Sequence, residues 1–292
     1  MALTDSPKLY SPEVWEDMAQ AEFAGRVVVA NAALSNDTLV GNPGDEVAFP
    51  KWDALSDLDD LTEGVAMTPE ALTQSSSKAT IKEAGKAVEI TDKAMLTGLG
   101  DPQAEAIRQF GLLAARKVDA DLIAAATATV TGGITRPNGT VVGNSAPLTH
   151  TLPAGGTALT WDALVDATAK FGDDFELDDV YGMFIRSDAK AAMLKDDQFI
   201  QASQTQSGND IIRRGFIGQV GGMNVFVTDR LPARTSLIVK RNSLGVLWKR
   251  RPIVEQDRDI LKRTNVVTTN LHYAVKRLND KGVLVLTTAA AA

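Results

Sequence analysis

Histidine, the commonest general base and metal ligand, occurs twice in this 292-residue chain, as His150 and His272, and cysteine does not occur at all. A zinc site would need both imidazoles together with carboxylates, and nothing in the sequence places them side by side. Disulfides, thiolate metal sites, iron–sulfur clusters and cysteine nucleophiles are excluded outright. A serine nucleophile held on a tight turn would announce itself as G-x-S-x-G, and no such pentapeptide is present. Gly85-Lys86 resembles the end of a phosphate loop, but the glycine five residues earlier is missing and Ala87 stands where the hydroxyl should be. The glycines of GQVGGM, residues 218–223, precede a candidate strand, whereas a dinucleotide fingerprint follows a strand and opens a helix, so they read as a turn. Asp57, Asp59, Asp60 and Glu63 could attract a hard cation but lack the spacing of a calcium loop, and a solvated tip accounts for them equally well. The run Lys249-Arg250-Arg251 is followed by Pro252 and by Glu255, Asp257 and Asp259; mixed signs suit salt links between subunits or a wet face better than nucleic-acid readout. No catalytic residue, no cofactor and no metal is expected, and the weight moves to a structural protein.

Composition agrees. Lys and Arg total 30 against 37 Asp and Glu, a net charge of -7, which excludes a histone-like binder that neutralises phosphates with clustered cations. No apolar run approaches the roughly 20 residues of a membrane span. The opening MALTDSPKLYSPEVWEDMAQ lacks the basic and apolar regions of a secretory leader. The absence of thiols is compatible with a reducing compartment.

The first forty residues read as an arm. Ser11-Pro12-Glu13 is a helix-start signal, and Val14, Trp15, Met18 and Phe23 form one modest stripe ending near Gly25. Residues 44–52, GDEVAFPKW, alternate as a strand, and residues 77–91, SKATIKEAGKAVEIT, answer it with Lys82, Ala84, Lys86, Val88 and Ile90 on one face. The two make a long hairpin with an acidic tip. A lone ribbon is marginal in water, so this one should lie on something else, and a neighbouring subunit is a reasonable candidate.

After Asp101 the period changes. Asp101 can cap, Pro102 suits the first helical position and Glu105 complements the positive helix end. Ile107, Gly111, Ala114 or Ala115, Val118, Leu122 and Ala125 then recur every three or four residues, predicting a spine helix over 102–127, about 38 Å long. Residues 129–160 read as an extended loop or short hairpin with turns at Pro137-Asn138-Gly139 and Gly155-Gly156. A helix from Thr160, a buried strand VYGMFIRS, a short helix opened by Ser187 or Asp188, a polar stretch 201–215, and strands NVFVTDRLP, TSLIVKRN and GVLWKRRP follow. TNVVTTNLHYAVKRL and GVLVLTT, joined at Asn279-Asp280-Lys281-Gly282, read as a closing hairpin. The fold class is α+β.

This order of elements, with DPQAEAIRQFG opening the spine helix, KAVEITDKAML at 86–96 and G-x-I-G-x-x-G-G-x-x-V at 215–225, resembles the major capsid proteins of tailed bacteriophages. The resemblance implies the Hong Kong 97-type capsid fold: an N-arm at 1–40, an extended loop at 41–95, a peripheral domain at 96–160 and 264–292, and an axial α/β domain at 161–263. It implies hexamers and pentamers tiling an icosahedral shell around double-stranded DNA, in a virion assembled in the host cytoplasm, with a portal and a decoration protein as further partners. The first hairpin strand begins near residue 45, which leaves no room for the scaffolding segment some relatives carry, so a separate scaffolding protein is expected. On this reading Phe49 and Trp52 at the base of the hairpin, with Lys51, Lys78 and Lys82, are expected at contacts between subunits, packing of the aromatics on the spine helix of the same chain being the alternative. Lys51 and Lys78 flank the hairpin, but no Asn and Glu complete the isopeptide motif of some relatives, and a non-covalent shell is expected. An encapsulin-like nanocompartment shell enclosing an enzyme cargo is the alternative of the same fold, disfavoured by the long polar tip; an enzyme domain in the α/β half is the alternative of another class.

Overall fold

The computed structural model describes residues 3–4, 28–52, 55–56, 58, 60, 63–64, 66–152, 159–174, 176–195 and 218–288. The helix expected over 14–25, the Gly155-Gly156 turn, the stretch 201–215 and the alanine tail lie outside them. The first half runs β1 (Leu3–Thr4), β2 (Leu34–Asn36), β3 (Glu46–Trp52), β4 (Gln74–Thr80), β5 (Lys82–Thr91), α1 (Asp92–Thr97), α2 (Pro102–Thr127), β6 (Val130–Thr135), β7 (Val141–Ser145) and β8 (Leu148–Thr151). The second runs α3 (Trp161–Thr168), β9 (Val180–Ile185), α4 (Ser187–Met193), β10 (Gln219–Val220), β11 (Met223–Val227), β12 (Thr235–Lys240), β13 (Leu244–Asp259), β14 (Thr264–Arg277) and β15 (Val283–Thr287).

Among the described residues three sheets result, ordered β1-β5-β14-β13-β2, β10-β11-β9-β12-β15-β8 and β3-β4-β6-β7. The spine helix is where its capping chemistry puts it. The Asp101 carboxylate accepts from the Gln103 and Ala104 backbone N–H groups at 2.9 and 3.1 Å, and Pro102 is the first helical residue. Its buried stripe is Ala106, Phe110, Ala114, Val118, Leu122 and Ala126. The centre agrees with the periodicity and the ends shift by one residue, because a strict four-residue row inclines across the helix axis to follow a twisted sheet. From Ala114 to Ala126 that stripe joins Leu271, Tyr273 and Val246 of the five-stranded sheet to Phe184, Leu237 and Val239 of the six-stranded one in a single core. A second core lies under α3, where Leu164, Ala167 and Phe171 meet Met183, Ile185, Leu284 and Leu286.

Several expectations need correction. The hairpin partner of β3 is β4 alone, in register from Glu46↔Thr80 to Trp52↔Gln74; past Ile81 the chain leaves that sheet, and β5 pairs with β14 from Lys82↔Tyr273 to Thr91↔Thr264. The alternation through 77–91 is thus two strands in two sheets. Pro252 does not end the strand before it: β13 runs on to Asp259, with the proline taken up where the ladder shifts register between Arg250 and Ile253. The junction at 279–282 is not a hairpin turn. β14 pairs with β13 and β5, while β15 pairs with β12 and β8. Val283–Leu286 are buried on both faces, which suits an inner strand, so the turn carries the chain from one sheet to the other. The boundary expected at residue 264 consequently falls beside the turn of the β13–β14 hairpin, and the strands assigned to 161–263 share sheets with β14 and β15. By contrast, Gly139 at φ 81° closes the β6–β7 hairpin as expected, and Gly221 and Gly222, at φ 56° and 79°, form the β10–β11 turn.

Candidate assembly surfaces

The β3–β4 hairpin has a fastened base and an uncovered end. At the base, Ala79 is buried with Leu247 and Ala274 of the five-stranded sheet, and Leu39, Val47, Phe49 and Ile81 pack against them. Ile81 N–H donates to Asp45 O at 2.8 Å, closing the stem where the chain changes sheets. Beyond the stem, Leu55, Leu58, Met67 and Leu72 are 55%, 101%, 73% and 58% exposed. Out there the Ser56 N–H and hydroxyl both donate to the Glu70 carboxylate at 3.1 and 2.6 Å and hold it below its ordinary range. Four large apolar side chains in water on one projection are what a protein surface normally avoids unless another surface covers them.

A second apolar end lies where the β13–β14 turn meets α1. Leu96, Leu99, Ile260 and Leu261 are exposed there, beside the Asp92–Arg258 ion pair at 2.9 Å and the bond from Asp92 N–H to Arg263 O.

The residues singled out from the sequence divide by what they touch. Phe49 is half-buried on its own chain, though on the sheet rather than on the spine helix. Lys78 pairs with Glu46 across the hairpin at 3.2 Å, both exposed. Lys82 turns inward, 2.6 Å from Asp121 of α2 and over the Tyr273 ring. Lys51 and Trp52 occupy β3, opposite Ser75 and Gln74. The basic run is engaged within the chain: Lys249 donates to Gly44 O, Arg250 meets Glu255 at 3.4 Å and Arg251 meets Asp37 at 2.8 Å, tying the 37–44 loop to β13. His150 sits in β8 and His272 in β14, in different sheets. Among the described residues no group of three His, Cys, Asp or Glu could hold a metal ion.

The polar anchors of α2 were not anticipated. Asp119 is fully buried; it accepts from the N–H groups of Val28 and Ala30 at 2.9 and 3.0 Å and from Arg230 at 2.6 Å, fixing the root of the N-terminal arm. An acid beside the stripe residue Val118 was the available signal. Replacing Asp119 with alanine strands a mostly buried guanidinium and two amides, and is expected to cost about 3–5 kcal/mol in urea unfolding. Asp121, on the other flank, takes Lys82, Tyr273 and Lys117. Burial pushes its pKa up, but the bonds from those three groups outweigh burial and hold it below 3.8. A carboxylate lowered by folding stabilises in full above its unfolded value, and that contribution fades as pH falls through the folded value. Asp121→Asn is therefore expected to lower stability at pH 7 and to flatten the loss between about pH 4 and pH 2; parallel pH–stability curves for the two proteins would exclude the role.

Comparison with known proteins places the chain among capsid proteins. A family model described as phage capsid protein matches residues 73–286, from the far strand of the hairpin to the last strand. The chain belongs to the phage capsid protein family. The major capsid protein of Staphylococcus phage phiMR11 is 29% identical over 289 residues, 98% of this chain and 96% of that one. Two solved structures share the fold: the capsid of cyanophage P-SCSP1u (TM-score 0.71, 16% identity, 96% of this chain and 93% of that one) and Mycobacterium phage Che8 (TM-score 0.71, 17% identity, 94% and 96%). The fold of this capsid protein is the Hong Kong 97 type that the order of its elements resembled, and the nanocompartment reading is not favoured.

Proposed function

We propose that this capsid protein builds the icosahedral shell of a tailed-phage head around double-stranded DNA, as hexamers and pentamers of itself. The observation that carries the reading is the β3–β4 hairpin: a stem fastened to the subunit's own sheet and an outer part with Leu55, Leu58, Met67 and Leu72 in water. In a chain of this family the partner with a matching surface is another copy, since a closed shell repeats one contact around its axes. Lys51, Trp52 and Lys78 lie along the stem and would meet that neighbour; Phe49 and Lys82 spend at least part of their surface within the chain.

The same reading keeps the arm at 1–40, the extended loop at 41–95, and peripheral and axial regions that exchange strands through the two larger sheets. It takes a separate scaffolding protein, a portal and a decoration protein as partners, and the host cytoplasm as the place of assembly. It assigns no catalysis. Electron microscopy of the purified protein in negative stain tests it: closed, uniform shells are expected, and a protein that stays monomeric at high concentration would overturn it. Boiled in detergent, the particles should give a single band at 31.1 kDa; a covalent ladder would overturn the non-covalent shell.

A further inference from the structure

An open cleft of about 580 Å³ lies at the foot of the projection, lined by Gly41, Asn42, Pro43, Lys249, Arg250 and His272. Its ionisable walls are all basic. Arg250 stands opposite His272 in the β13–β14 ladder, and Lys249 reaches the carbonyl of Gly44, two residues before β3 begins. That carbonyl fixes the ammonium without neutralising it. The acids closest to the other two walls lie at long range: Glu255 is 3.4 Å from Arg250 and Glu83 is 3.7 Å from His272. Both of those acids are largely in water, where such pairing is weak.

The projection carries the opposite charge. Residues 53–77 contain Asp53, Asp57, Asp59, Asp60, Glu63 and Glu70, and no lysine or arginine. Glu70 is taken by Ser56, whereas Asp60 and Glu63 stand exposed. A run of one sign repels itself, and a surface of the other sign relieves it.

The cleft and these acids sit at opposite ends of one ladder. Lys249 grips the chain just before Glu46, and Asp60 and Glu63 lie beyond Trp52 and Gln74. The seven-residue β3 sets about 20 Å between the two ends. A group at one end of a subunit and its complement at the other make a head-to-tail contact, the kind that closes into a ring when repeated.

We propose that this cleft receives the acidic tip of the β3–β4 hairpin from a second copy of the chain, with Asp60 and Glu63 as the carboxylates it reads. The inference rests on the shell reading and adds to it the surface that the tip meets. Charges of this kind set partner and register, and they leave the apolar side chains of the tip to be covered once the register is found.

Reversing and then exchanging the charges tests it. Lys249→Glu with Arg250→Glu should lower the yield of closed shells at least about tenfold at low salt, and adding Asp60→Lys with Glu63→Lys should restore most of it. Unchanged shells from the reversed protein, or no recovery in a quadruple variant whose circular dichroism matches the parent, would overturn the proposal. Normal shells that retain less DNA would assign the cleft to phosphates and overturn it as well. The chain has no cysteine, so a second measurement is unambiguous. Assembled Asn42→Cys with Glu63→Cys, treated with a short bismaleimide, should give a ladder of covalent multimers; intramolecular product alone, or none, sinks the contact between copies. The unaltered protein reads the shell separately: if it stays monomeric both inferences fall, and if it closes shells while these variants behave otherwise than expected, only this one does.

Discussion

Replacing residues 55–72 with a short Gly-Ser turn is expected to leave a folded subunit that forms no closed shells. The argument is one of location. The stem from Glu46↔Thr80 to Trp52↔Gln74 keeps every ladder partner, and the cluster of Ala79, Leu247 and Ala274 at its base is untouched. What is lost is the exposed outer segment, with its leucines and methionine and its Ser56–Glu70 contact. Shortening a surface loop changes closure entropy only slightly, and exposed positions contribute little to folding, so the shift in stability should stay under about 1 kcal/mol. Assembly should fail outright, because those side chains have no other surface to cover. Thermal melting and microscopy of the same preparation separate the two effects. Shells of normal appearance from the shortened chain would remove the tip from the assembly contact.

The converse experiment uses Arg277. This guanidinium is 3% exposed at the end of β14. It donates to the carbonyls of Ala125, Ala126 and Ala128 at 3.1, 2.8 and 2.8 Å, to Asp280 at 2.7 Å and to the Ser145 hydroxyl at 3.0 Å. A helix leaves its last carbonyls without partners and its C-terminal end partly negative, and one arginine answers both needs for α2. The same group binds β7 and the 279–282 turn to the helix. Arg277→Ala removes five bonds and leaves the Asp280 carboxylate without its buried partner, at an expected cost of about 3–5 kcal/mol. For a chain of this size that is a fall in Tm on the order of 10 °C. Arg277→Lys should recover only part of it, since an ammonium cannot reach so many acceptors in a fork. Melting of soluble subunits reads the effect directly; a loss below about 1 kcal/mol would show that water replaces the guanidinium at the helix end.

These two sites illustrate what can be read along a chain and what cannot. The start of α2 is legible to the residue because Asp101, Pro102 and Glu105 act on groups within a few positions. Its end at Thr127 also falls where the periodicity stops, but the group that stabilises that end is not legible, because it lies in another strand, 151 residues from Ala126. Asp119 is similar: its place beside the stripe residue Val118 marks it, but its partner Arg230 is 111 residues away and no local pattern names it. Strands follow the same rule. Alternation located β3 and β5 but could not reveal that the ladder changes partners at Ile81, since either pairing satisfies the pattern and β14 decides it. Likewise a tight turn after Arg277 suggested adjacent strands, and the apolar run that follows was taken for its partner; burial on both faces placed it inside the other sheet. The contact residues were chosen from a shared expectation about aromatics and lysines; Lys82 meets Asp121 and Phe49 meets the sheet within the chain, and a neighbour's contact at Lys51, Trp52 and Lys78 stays a proposal.

A shell containing both five- and six-membered rings asks a single sequence to meet its neighbours at more than one curvature. The junction at Ile81 suits that demand. The stem meets the body through a small cluster around Leu247, one ladder pair between Ser76 and Thr135, and the bond from Ile81 N–H to Asp45 O, whereas the core around α2 joins both larger sheets. Moving the projection would disturb those few contacts before it reached the core around α2, so differences among the positions of a lattice are expected to concentrate near Ile81.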